Sequence, residues 1–138
     1  MDRNIFEQVY ATAHDIRLML EYYAEDADFS KDLSGLCAIA SGELHARLKR
    51  NGISSTIVLY EGIGYGHCFV EVENHVVDIT ATQFGEREKV CVKPVEEARA
   101  KDFWNSVHRF NSVKTLKKYQ RKIGWPQEQV EMQCGWKC

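Results

Sequence analysis

Three residues of this chain have types and an order suited to thiol chemistry on a carbonyl: Cys37, His67 and Asp78. Cys37 stands in a small and apolar run, Leu36-Cys37-Ala38-Ile39-Ala40-Ser41, which Leu44 and Leu48 continue at helical spacing. His67 follows a glycine-rich stretch, Glu61 to Gly66, and Asp78 lies in Val76-Val77-Asp78-Ile79. A thiol attacks a carbonyl as thiolate, and a helix N-terminus favours that negative charge. A neighbouring imidazole takes the thiol proton and later gives it to the leaving group. Free backbone N–H groups at the same helix end can hold an oxyanion. A carboxylate on the other ring nitrogen fixes the tautomer.

These residues need elements that bring them together. From about Asp2 to Glu25, Ile5, Val9, Ile16, Met19, Leu20 and Tyr23 recur at helical spacing, which predicts an amphipathic helix. Asp28 to Asp32 is polar and turn-like. A second helix is expected from Gly35 to Arg50, with Cys37 in its first turn. Lys49 and Arg50 suit its negative end, and Asn51-Gly52 is a stop signal. The β-branched run Ile53 to Tyr60 predicts a strand, Glu61 to Gly66 a loop, and His67 to Val72 a second strand. Glu73-Asn74 reads as a tight turn and His75 to Thr80 as a third strand; Lys89 to Lys93 alternates like a fourth. Glu96 to Phe110 and Ser112 to Lys122 have helical character, and Gly124-Trp125-Pro126 ends the second. Helices, then a meander, then helices suggest an α+β domain with helices packed on one antiparallel sheet.

The hairpin can be tested by counting. With Glu73 and Asn74 at the centre of a two-residue turn, Val72 faces His75, Phe69 faces Asp78 and His67 faces Thr80. Residues two apart share a face, so His67 and Asp78 become diagonal neighbours, about 7–8 Å apart at the backbone. One extra turn residue would send Asp78 to the opposite face.

Taken in order, these segments resemble the transglutaminase-like branch of the papain-like cysteine enzymes. The resemblance rests on Gly35-Leu36-Cys37-Ala38-Ile39-Ala40, the turn Asn51-Gly52-Ile53, Gly66-His67-Cys68-Phe69-Val70-Glu71-Val72 and Val77-Asp78-Ile79-Thr80. It spans residues 33–84. It implies a papain-like core in which Cys37 is acylated, His67 is its base and Asp78 orients the ring. Phe69 stands where the family usually has Trp, and Ile79 where it usually has Pro. Members include peptidases, amidases, protein deamidases and true transglutaminases. The implied substrate is an amide of a protein or peptide, with no metal or organic cofactor.

Size and composition bound the rest. The 138 residues, 44% hydrophobic and 28% charged, suit one domain, 1–138, with a real core. Eighteen basic against 20 acidic residues give no general attraction to nucleic acid or acidic lipid. No apolar run approaches a membrane span of about 20 residues, and the start does not read as a secretory signal. Five scattered cysteines do not form a disulfide framework, so a reducing, cytoplasmic setting is expected, or delivery into a host cytoplasm.

Other residues carry weaker signals. Backbone at Leu36, the loop residue Tyr65 and Gln83 after the third strand are expected to contact substrate or oxyanion. His75 lies beside the turn on the face opposite Asp78, and His45 is eight residues past Cys37, about 12 Å along the helix. His14 and His108 read as surface residues, and Cys68 as core packing on the other face of its strand. Trp104, Trp125 and Trp136 suit packing. Lys114, Lys117, Lys118, Arg121 and Lys122 form a basic cluster, either a solvated face or a surface for an acidic partner. Alternatives to amide chemistry are acyl transfer from a thioester to a small amine, and a non-catalytic protein-binding module. A zinc site using Cys134, Cys138, Cys37 and His67 is weaker than either.

Overall fold

The computed structural model describes residues 1–26, 36–62, 65–84, 87–98, 106–125 and 127–132. Two N-terminal helices, α1 (Arg3–Asp26) and α2 (Cys37–Arg50), pack on a five-stranded antiparallel sheet. Its strands are β1 (Thr56–Gly62), β2 (Tyr65–Val72), β3 (His75–Asp78), β4 (Cys91–Pro94) and β5 (Ser106–Phe110), in the spatial order β4-β3-β2-β1-β5. Short α3 (Val95–Ala98), then α4 (Val113–Lys122) and α5 (Gln127–Met132), complete the described elements. Among them no helix is long and apolar enough to cross a membrane.

The stripe of α1 is Val9, Ala13, Ile16, Leu20 and Ala24, all buried. It packs with Leu44 and Leu48 of α2 and with Val70, Val72 and Val77 of the sheet. Each such Leu or Ile side chain stabilises the fold by about 1.5–3 kcal/mol relative to exposure. Gly52, at φ +75°, closes α2: its N–H reaches the Lys49 carbonyl and that of Ile53 reaches Leu48. Only a residue tolerant of positive φ turns the chain there so sharply.

The β2–β3 hairpin has the register given by the turn count as far as Val70–Val77, but the pairs expected of Phe69 with Asp78 and of His67 with Thr80 do not form because β3 parts from β2 there. Glu73 and Asn74 both have positive φ, and Val72 pairs with His75, Glu71 with Val76 and Val70 with Val77. Two positive-φ residues match the right-handed twist of the strands they join.

Several expectations need correction. β1 begins at Thr56, not Ile53, because Ile53 is tied back to α2. Glu61 to Gly66 is largely not a loop: Glu61 pairs with Gly66 and Gly62 with Tyr65 in the β1–β2 ladder. β3 ends at Asp78, and residues 81–84 form a 3-10 turn. The helix expected over Glu96 to Phe110 is found at its start, where Glu96 to Ala98 lie in α3, and not at its end. Its described end is β5, which pairs with β1 from Ile57–Phe110 to Glu61–Ser106. Val107 and Arg109 alternate with His108 and Phe110, and a free edge on β1 decided the outcome over local helical character. α5 follows Trp125 where no further helix was foreseen. Asp28 to Asp32, Trp104, Trp136, Cys134 and Cys138 lie outside the described residues.

Candidate active site

Cys37 is the first residue of α2, and Leu36 precedes it as a buried N-cap with no side-chain acceptor to offer. The first N–H groups of a helix have no intrahelical partner. Ser, Thr, Asp or Asn at Leu36 would satisfy one of them; leucine leaves them for another acceptor. α2 returns to the sheet through Ile53, whose N–H bonds the Leu48 carbonyl. Its N-terminal residues Cys37 and Ala38 share a buried cluster with Leu59 of β1 and Cys68 of β2, next to the Tyr60–His67 pair.

Alternation puts His67, Phe69 and Val76 on one face, and Cys68, Val70 and Val77 on the face covered by α1 and α2. β3 parts from β2 after Val77, and the side chain of Asp78 meets the His67 ring. His67 Nε2–H donates to Asp78 Oδ2 across 2.5 Å, while Asp78 Oδ1 accepts from the Thr80 N–H at 2.9 Å. Both side chains are buried, as is Cys37. The Cys37 thiol lies close enough to the ring to help raise the His67 pKa together with Asp78.

Electrostatics follow this geometry. Burial pulls the imidazolium of His67 down. The charge and hydrogen bond of Asp78, with those of Cys37, outweigh it and push His67 up to about 10. Cys68 sits in the same buried cluster as Cys37 and Ala38. Burial and the nearby charges of Cys37 and Asp78 push its thiol up, against a hydrogen bond with Ser41. A thiol so placed resists ionising and acts as packing.

Among the other expected site residues, Leu36 lies directly before Cys37, with its side chain in the core beside Leu44. Tyr65 opens β2 two residues before His67, and Gln83 lies in the 3-10 turn after Asp78. His75 bonds its own turn, Nδ1 lying 2.9 Å from the Glu73 carbonyl. His45 is buried with Nδ1 2.7 Å from Ser55 Oγ, and burial first of all lowers its pKa. It borders a cleft of about 620 Å³ with Lys49, Ser54 and Glu71, a cleft that none of Cys37, His67 and Asp78 lines. His108 is not a bare surface residue: its Nε2 lies 3.0 Å from Tyr119 Oη, which donates to Glu61.

Sequence reasoning missed Arg17. It is 2% exposed, and Nη1 donates to the Ile79 carbonyl at 2.8 Å and to Thr82 Oγ1 at 3.0 Å. A buried guanidinium thus holds the segment that leaves Asp78. The signal was present: Arg17 stands four residues after Ala13 and three before Leu20, on the buried stripe of α1.

No family model, curated protein or solved structure matches the chain. The functional reading therefore rests on this geometry and on the sequence pattern. Among the described residues no cluster of His, Cys, Asp or Glu is arranged to hold a metal ion, and Cys37, Cys68 and Cys91 are not in disulfides.

Proposed function

We propose that the protein is a cysteine-dependent acyl-transfer enzyme acting on an amide of a protein or peptide, built on a transglutaminase-like version of the papain-like core. What supports this reading is the buried His67–Asp78 pair, with Cys37 at an uncapped helix start close enough to act on the ring. Asp78 is itself fixed by the Thr80 N–H, so the ring is held from behind.

The chemistry follows from that arrangement. The Cys37 sulfur attacks the carbonyl carbon, a C–S bond forms, and the carbonyl electron pair moves to oxygen. The N–H groups at the start of α2 face that oxyanion. A ring that keeps its proton at neutral pH can give it to the leaving nitrogen as the C–N bond breaks. The thioester is then attacked by water or an amine, whose proton passes to His67, and the sulfur departs. Water on a peptide bond gives peptidase action, water on a glutamine side chain gives deamidation, and an amine acceptor gives a new amide. Hydrolysis is the favoured outcome, since among the described residues no side chains mark a dedicated amine site. A reducing compartment such as the cytoplasm suits it, because Cys37 must remain a thiol.

The test is iodoacetamide alkylation followed by peptide mapping, over about pH 5–9. Cys37 should react fastest among the thiols below about pH 8 and lose that advantage in His67→Ala. Ammonia release from a glutamine-rich protein and cleavage of casein, each lost in Cys37→Ala, would identify the reaction. A Cys37 no more reactive than Cys91, with or without His67, would sink the proposal.

A further inference from the structure

We propose that the outer face of α4 is a docking surface for an acidic protein segment that presents its amide to Cys37. This rests on the catalytic reading above and adds a substrate class to it.

α4 carries Lys114, Lys117, Lys118, Arg121 and Lys122 and no acidic residue. Lys114, Lys118, Arg121 and Lys122 are exposed. Elsewhere Arg3, Arg17, Arg47, Arg50, Lys89 and Arg109 each face a carboxylate. Among the described residues none of the five cations of α4 does. Lys114, Lys118 and Arg121 recur at spacings of four and three, so they line one stripe about 10 Å long, the reach of three or four extended residues.

Position ties this stripe to the thiol. α4 starts after Phe110, which pairs with Ile57 near the beginning of β1. It runs back along the sheet until Tyr119 bonds Glu61 near the other end. Leu116 belongs to the buried cluster that contains Cys37 and Ala38, and Trp125, just past the helix, packs on it. Arg121 and Lys122 are therefore at the end of α4 that lies towards Cys37.

Charge selects the partner. The chain has 18 basic and 20 acidic residues; five of the basic ones are on α4, so the remainder carries −7. A nucleic-acid duplex or an anionic bilayer extends past one helix and would meet that negative remainder. A bilayer also needs an apolar face to enter, and the apolar side of α4, with Leu116 fully buried, is used in the core. A short acidic segment covers the helix alone and meets only positive charge.

The experiment uses the full chain carrying Cys37→Ala, so that no turnover intervenes. Binding of a fluorescein-labelled oligoglutamate peptide is followed by anisotropy, beside a short DNA duplex and phosphatidylserine vesicles. The peptide should bind more tightly than either competitor. Binding should weaken several-fold from low to physiological salt. It should fall by about tenfold or more in Lys118→Glu/Arg121→Glu/Lys122→Glu, with the unfolding midpoint as a check on folding. In the protein that retains Cys37, bound peptide should slow alkylation of that thiol by a bulky maleimide. Salt-independent binding, equal binding by the charge-reversed chain, tighter binding of DNA or vesicles, or an unshielded Cys37 would each overturn the proposal. Peptide binding beside an unreactive Cys37 would overturn the catalytic reading and leave the docking surface standing.

Discussion

Replacing Asp78 by asparagine keeps the shape behind His67 and removes its charge. The carboxylate is nine-tenths buried and accepts from His67 Nε2 at 2.5 Å. A hydrogen bond to a charged partner is worth about 1.5–3 kcal/mol, and one pH unit corresponds to about 1.4 kcal/mol, so about one to two units are at stake. Burial, the largest influence on this ring, acts downward and would meet less opposition. The imidazolium, now pushed up to about 10, should lose its proton at least about one to two units lower in Asp78→Asn. Titration of ¹⁵N-histidine-labelled protein by NMR reads this directly. Asp15→Asn, an exposed carboxylate of α1, is the control and should leave His67 unmoved. Low-pH alkylation of Cys37 should slow in parallel. A shift under about half a unit, or an upward one, would refute the view that Asp78 holds the ring charged.

The same group makes stability depend on pH. His67 takes its proton near 6.5 when unfolded and near 10 when folded, so its contribution is fully present below 6.5 and is lost as pH rises towards 10. The unfolding free energy of the wild type, relative to His67→Gln, should fall across that window by up to about 1.4 kcal/mol per pH unit, as urea denaturation can measure; a flat difference would contradict it. Arg17→Met removes the buried donor to the Ile79 carbonyl and should cost about 1–3 kcal/mol, with partial recovery in Arg17→Lys. It should also slow alkylation of Cys37; lost stability with unchanged thiol reactivity would make Arg17 a prop of the fold and not of the Asp78 segment.

Local signals carried much of this protein. The stripe of α1 shows as Val9, Ile16 and Leu20, because burying one face of a helix demands that period. The stop of α2 shows at Asn51-Gly52, because a helix C-terminus needs a residue tolerant of positive φ, whereas its start, read at Gly35, falls at Cys37 with no capping side chain to mark it. The two-residue turn at Glu73-Asn74 sets the β2–β3 register by parity alone, and with it the side of the strand on which Asp78 stands.

What needed the tertiary structure was every choice set by a distant partner. Nothing near Ser106 to Phe110 distinguishes a strand from a helix as firmly as the open edge of β1 does, and that edge is 45 or more residues away. Arg17 reads locally as one more charge on α1; only the Ile79 carbonyl, 62 residues on, gives a buried guanidinium its purpose. The nearness of Cys37 to His67 likewise depends on where the end of α2 meets the sheet. Helix ends and turn parity are properties of a few neighbouring residues, whereas edge pairing, buried ion placement and a meeting of side chains are decided by which surfaces the whole chain leaves open.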